Sequence, residues 1–178
     1  MQNFKYLDIC DISFIKLKLN ESDNSIWEGH TYRQSTFSPH RHTQTIELMW
    51  DKESLNEIRE ATKHPNFYGY KIDELFDRLH PLYTLNYGEG YFCRTLITKL
   101  KAKKHIFPHK DGGDSLEKCH RTHIPIITND KVTFQVNGEN KYMKEGEIWE
   151  IDNVAEHAVY NQSDFDRIHL ILDYMQFI

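Results

Sequence analysis

Val132-Thr133-Phe134-Gln135-Val136-Asn137-Gly138-Glu139 decides the fold class. Val132, Phe134 and Val136 alternate with Thr133 and Gln135, which is the period of two expected of a strand with one buried face. Asn137-Gly138 follows at once, and both residue types tolerate the positive φ that a two-residue hairpin turn demands. The same texture extends in both directions. Tyr91 to Lys99 is rich in aromatic and β-branched residues, and His123 to Thr128 is a second such run. Glu145-Gly146 is another turn before Ile148 to Asp152, and Ile168, Leu170 and Leu172 close the series. Many short strands with close turn signals predict a sandwich or barrel rather than alternating β-α-β units.

Before Gly90 the pattern is mixed. Asp11 is placed to cap a short helix carrying Phe14, Ile15 and Leu17, although Ile15, Leu17 and Leu19 also alternate with lysines. Thr45 to Trp50 reads as a strand. Lys71 to Leu82 predicts a helix, with Ile72, Leu75, Phe76, Leu79 and Leu82 at helical spacing and Pro81 near its end. No repeat or linker interrupts the chain, so the expectation is a single domain over 1–178 with its core at about 90–175.

Composition narrows the function classes. With 39% hydrophobic and 13% aromatic residues the chain has material for a packed core. A net charge of -5 lacks the basic footprint of a nucleic-acid binder. The one basic run, Lys99 to Lys104, reads as a solvated strand end or loop, with an anionic-partner site as the lesser alternative. No apolar stretch has bilayer-spanning length and the start lacks a leader pattern, so a soluble cytoplasmic protein with no membrane partner is expected. Cys10, Cys93 and Cys119 are widely spaced, which supports neither disulfides nor structural zinc. The 11 histidines turn attention to metals.

Phe107-Pro108-His109-Lys110-Asp111-Gly112-Gly113 carries the chemistry. In an extended segment His109 and Asp111 point to one side and can present an imidazole and a carboxylate to one point. Gly112-Gly113 lets the chain turn away from that point. His157, delivered by a short loop after the strand Ile148 to Asp152, is the candidate third ligand. Two histidines and one carboxylate leave three open positions on an octahedral ion, a set suited to iron(II) oxygen chemistry. Arg167, ten residues further on, offers a planar fork for the far carboxylate of a dicarboxylate cosubstrate.

The stretch from about Cys93 to Tyr174 resembles the aspartyl/asparaginyl β-hydroxylase family, including its free-proline cis-4-hydroxylase branch. The matching segments are Phe107 to Asp111, Arg121-Thr122-His123-Ile124-Pro125-Ile126, Gly146 to Asp152, Glu156 to Asn161 and Arg167-Ile168-His169-Leu170. The N-terminal half is similar only through Gln44-Thr45-Ile46-Glu47-Leu48. The resemblance implies a mainly β (α+β) double-stranded β-helix, the jelly-roll or cupin-like core, with flanking N-terminal helices. It implies iron(II), 2-oxoglutarate and dioxygen as reactants. His109, Asp111 and His157 become the catalytic metal ligands, Arg167 the cosubstrate anchor, and Arg121 and His123 its assistants. Vertebrate members that modify protein side chains lack the carboxylate ligand; Asp111 aligns this chain with the small-molecule branch. The expected activity is therefore hydroxylation of a C–H bond in a free amino acid or similar small polar substrate. The alternatives are a protein or peptide Asp/Asn/Pro side chain, or a non-catalytic metal-binding jelly-roll module.

The other histidines read differently. His40 and His42 share a face if that segment is extended, and a substrate-pocket or surface role is favoured over a rival metal site. His105 shares the parity of His109, but four residues of strand span roughly 13 Å, too far to join the same ion. His120 alternates away from Arg121 and His123. Thr98 is a candidate hydroxyl in the cosubstrate pocket, and Trp149, Tyr91 and Phe92 are read as core.

Overall fold

A computed structural model describes residues 2–50 and 60–177. Two antiparallel sheets form its centre. The larger is built from β1 (Phe4–Ile9), β8 (Glu147–Ile151), β5 (His120–Ile127), β10 (Arg167–Gln176), β3 (Gly90–Leu100) and β2 (Thr43–Met49), in that spatial order. The smaller has the order β4 (His105–His109), β9 (His157–Asn161), β6 (Val132–Val136) and β7 (Glu139–Lys141). The fold is the mainly β jelly roll that the sequence predicts. Its two outer strands, β1 and β2, come from the mixed N-terminal half, so the large sheet draws on residues well before position 90.

The hairpin that set the fold class closes as read. Asn137 and Gly138 have φ of 48° and 80°, and Val136 pairs with Glu139. Val132, Phe134 and Val136 face inward with Phe4, Ile106, Ile151 and Val159 to fill the space between the sheets.

Strand β10 is buried on both faces, and its parity organises the molecule. Ile168, Leu170, Leu172 and Tyr174 join the cluster under the helices. Arg167, His169, Ile171 and Asp173 alternate with them and are equally buried. A strand with one apolar and one charged face, both shielded, needs occupied layers on each side.

The helical layer consists mainly of α1 (Ser13–Glu21), α3 (Pro65–Gly69) and α4 (Ile72–Tyr87), and the short α2 (Tyr32–Thr36) lies between α1 and α3 in the chain. The ambiguous segment is helical, but Ile12 rather than Asp11 occupies its N-cap; Asp11 Oδ1, one residue earlier, accepts the Ser13 N–H at 2.8 Å. Helix α4 runs past Pro81 to Tyr87, further than the proline suggested. Pro81 forfeits one backbone bond on the exposed side, a cost of about 3 kcal/mol. Continuing the helix buries Tyr83 and Tyr87, roughly 1.5–3 kcal/mol each, and lets them hydrogen-bond Thr122 and Glu150. Gly88, at φ 84°, then ends it. Among the described residues, no helix is long and apolar enough to cross a membrane.

The basic run is a tight β3–β4 connection. Lys99 is buried with its ammonium 4.2 Å from the Trp27 ring, while Lys103 turns at φ 56° and pairs with Asp164. The predicted turn at Gly146 locks β1 to β8. Its φ is 80°, and a Cβ there would lie 2.8 Å from the Cys10 carbonyl, whose own N–H donates to Gly146 O at 2.9 Å. Gly146→Ala is therefore expected to lower stability by about 1–3 kcal/mol in urea denaturation, from the left-handed backbone and the collision together.

Candidate metal centre

His109 and His157 meet because β4 and β9 pair antiparallel in a register that sets them directly opposite each other. Their ring centroids are 4.2 Å apart. Asp111 joins from just beyond β4. The strand ends at His109, two residues earlier than a single extended segment would require, because Asp111 N–H turns to the Asn153 carbonyl at 2.9 Å. The parity survives the turn. Asp111 Oδ1 is 3.9 Å from His109 Nε2, and Oδ2 is 3.9 Å from His157 Nε2. The three ligand atoms lie within 4.8 Å of one another, close enough for a single ion to reach.

Both imidazoles are pre-oriented. His109 Nδ1 donates to Phe107 O at 2.7 Å and His157 Nδ1 to Ala155 O at 3.0 Å, which leaves each Nε2 lone pair toward Asp111. Burial, reinforced by His157, pushes the His109 imidazole down to about 4, so it is neutral and able to ligate at physiological pH.

The carboxylate is held by an ionic lattice. Arg121 Nη1 donates to Asp111 Oδ2, and its Nε and Nη2 grip Asp173 at 2.8 and 2.7 Å. Arg94 Nη1 donates to the same Asp173 at 2.8 Å. Burial pushes the Asp111 carboxyl up, but Arg121 and then His157 outweigh it and hold it below the usual carboxylate range. The Asp173 carboxyl shows the same balance, with burial opposed by Arg121 and Arg94. Sequence reasoning missed Asp173 and Arg94. The available signal was an acid at the same parity as Arg167 and His169 in a strand whose other face is apolar; in the ladder Asp173 sits opposite both Arg94 and Arg121.

Arg167 is 1% exposed, and no carboxylate among the described residues lies within ion-pair distance of it. Its Nη2 touches His169 Nδ1, and its Nε has no partner. Burial, with Arg33 nearby, pushes the guanidinium down to about 9, which still leaves it charged at neutral pH. Thr98 Oγ1 and His123 Nδ1 are likewise buried without partners, and both line the same narrow recess as Arg167, His109, Asp111 and His157. Buried polar groups are normally satisfied, so this cluster fits a polar anionic occupant. Arg121 borders the recess too, but its fork is spent on two aspartates.

His40 and His42 do not share a face. A 3-10 turn over Ser38–His40 replaces the extended segment, putting the His40 ring 4.9 Å from that of His109 while His42 stacks outside near Phe107. His120 points to the helical layer, where it stacks on Tyr87 and bonds Glu150. Arg33, which no sequence signal marked, also reaches the site; only the path of the chain brings it there.

Solved structures share this architecture at low identity. A 2OG-Fe(II) oxygenase family oxidoreductase from Burkholderia pseudomallei superposes with a TM-score of 0.61 at 14% identity, over 76% of this chain and 68% of the other. A viral collagen prolyl hydroxylase from Paramecium Bursaria Chlorella virus-1, in complex with 2OG, gives 0.60 at 8% identity over 99% and 97%. A non-heme monooxygenase, ThoJ, in a nickel complex, gives 0.59 at 12% over 98% and 74%. The sequence model for aspartyl/asparaginyl beta-hydroxylase matches residues 20–176, which takes in β2, Arg33 and His40 as well as the triad. The chain thus belongs to the aspartyl/asparaginyl β-hydroxylase family and is an enzyme of the 2-oxoglutarate-dependent hydroxylase type.

Proposed function

We propose that this enzyme hydroxylates a C–H bond of a free amino acid or similar small polar molecule, with iron(II) held by His109, Asp111 and His157 and 2-oxoglutarate anchored by Arg167. The observation that carries this reading is a buried guanidinium with no counter-ion among the described residues, beside two imidazoles and a carboxylate within reach of one ion. A pure metal-binding module has no use for such an anchor.

Iron(II), 2-oxoglutarate and dioxygen together supply the oxidising power when bound. The chain's residues supply position and charge. His109 and His157 offer lone pairs fixed by the Phe107 and Ala155 carbonyls. Asp111 adds one negative charge, and Arg121 fixes its rotamer through Oδ2, leaving Oδ1 toward His109. Arg167 meets the distal carboxylate of the cosubstrate, with Thr98 and His123 as hydrogen-bond partners in the recess. Phe134, Val159 and Ile171 line that recess and keep it poor in water, which strengthens each of these interactions.

A cavity of about 260 Å³ adjoins the centre and holds a small molecule more readily than a folded partner. Succinate release from 2-oxoglutarate, under iron(II) and oxygen with candidate amino acids, tests the activity. Arg167→Gln is expected to raise the KM for 2-oxoglutarate by about 10- to 100-fold, with Arg167→Lys recovering part of the loss. An unchanged cosubstrate KM in both variants removes Arg167 from the site.

A further inference from the structure

The cavity beside the metal centre has two kinds of wall. Phe37, Pro39, Trp50, Leu96 and Leu116 supply apolar lining. Three guanidiniums, those of Arg33, Arg94 and Arg121, also line it. Arg121 is paired with Asp111 and Asp173, and Arg94 with Asp173. Arg33 differs. It is 7% exposed, and among the described residues its hydrogen-bond partner is the neutral His40, Nη2 to Nε2 at 3.2 Å, with no carboxylate in ion-pair range.

A guanidinium can only donate, so His40 Nε2 accepts the Arg33 N–H. Its ring stands edge-on to His109. Arg33 is thereby tied to the metal centre while the rest of its fork borders the cavity. Its guanidinium is pushed down by burial only to about 10 and stays charged at neutral pH. A buried cation without a partner is costly, and it is tolerated where a ligand brings the counter-charge.

We propose that Arg33, positioned by His40, anchors the carboxylate of the primary substrate, a small organic acid whose apolar body packs on the Phe37, Trp50 and Leu96 wall. This rests on the iron-oxygenase reading above and specifies its substrate class. Arg167 lines the recess and not this cavity, and it is left to the cosubstrate, so the two anions have separate guanidiniums.

The test uses the zinc-loaded protein, which binds without turnover, and thermal shift as the readout. Wild type, Arg33→Gln and Arg33→Lys are titrated with 2-oxoglutarate, and then, with and without it, with L-leucine, L-proline, N-acetyl-L-leucine, 4-methylpentanoate and the primary amide of each. At least one acid is expected to raise Tm where its amide does not. Arg33→Gln is expected to weaken that response by about tenfold to a hundredfold and leave the 2-oxoglutarate response within about threefold, with Arg33→Lys in between. Succinate release by the iron-loaded enzyme should follow the same order. Equal binding of acid and amide overturns the proposal. So does binding of none of the acids, or an Arg33→Gln defect that falls on 2-oxoglutarate instead. A wild type that binds the acids but not 2-oxoglutarate leaves Arg33 standing and sinks the iron-oxygenase reading.

Discussion

His157→Ala and Asp111→Asn are expected to lose iron-dependent turnover by at least about 10³-fold, and iron affinity by more than the 10- to 100-fold typical of outer-sphere partners. Each removes one of three ligand atoms that now lie within 4.8 Å of one another. Asp111→Asn is the more incisive variant. It keeps the shape and an oxygen that can face Arg121, yet removes the negative charge that offsets the metal's own. Metal content by elemental analysis and succinate release measure the two effects separately. Tm of the metal-free protein checks folding, since His157 is a cross-strand partner of His109 as well as a ligand. Full turnover with full metal content in either variant would dismantle the centre as described.

The second large effect concerns stability. Asp173→Ala should cost about 3–5 kcal/mol, because it leaves Arg94 and Arg121 as buried charges deprived of their shared counter-ion. For a chain of this size that corresponds to a Tm decrease of roughly 6–20 °C. Asp111 and Asp173 also predict the acid side of the stability curve. Both are depressed in the folded state, so they bind protons less readily folded than unfolded. Their stabilisation is complete above the unfolded carboxylate value of about 3.9 and is lost as the pH falls below it toward the lower folded values. Denaturant midpoints of wild type and Asp173→Asn should therefore converge as the pH falls through that range. Midpoints that stay parallel down to strong acid would show that the lattice around Asp173 contributes little.

Some of the site was legible in the residues alone. His109 and Asp111 share a side because side-chain direction alternates along extended chain, and the turn after β4 does not undo it. The alternation also sent His120 away from the recess while His123 lines it. His40 and His42 lose their shared face because parity applies only to extended backbone and the chain takes a 3-10 turn there, yet His40 still lines the cavity. Pro81 misled in the same way: the proline penalty is local, whereas the burial of Tyr83 and Tyr87 that outweighs it is not. Arg33 had no signal, since nothing in Tyr32-Arg33-Gln34 distinguishes a cavity arginine from a surface one.

The sequence by itself determined the β class, the Asn137-Gly138 hairpin, the paired direction of His109 and Asp111, and the presence of a cation at the head of β10. These are local properties, fixed by a period of two and by which residues accept positive φ. Only the tertiary structure decided that His157 lies opposite His109, that Asp173 satisfies two arginines, and that Arg167 and Arg33 have no acid of their own among the described residues. Those outcomes depend on strand register and on what the opposite sheet buries. Register is set by the summed burial of many residues distant in sequence, so no short stretch of the chain contains it.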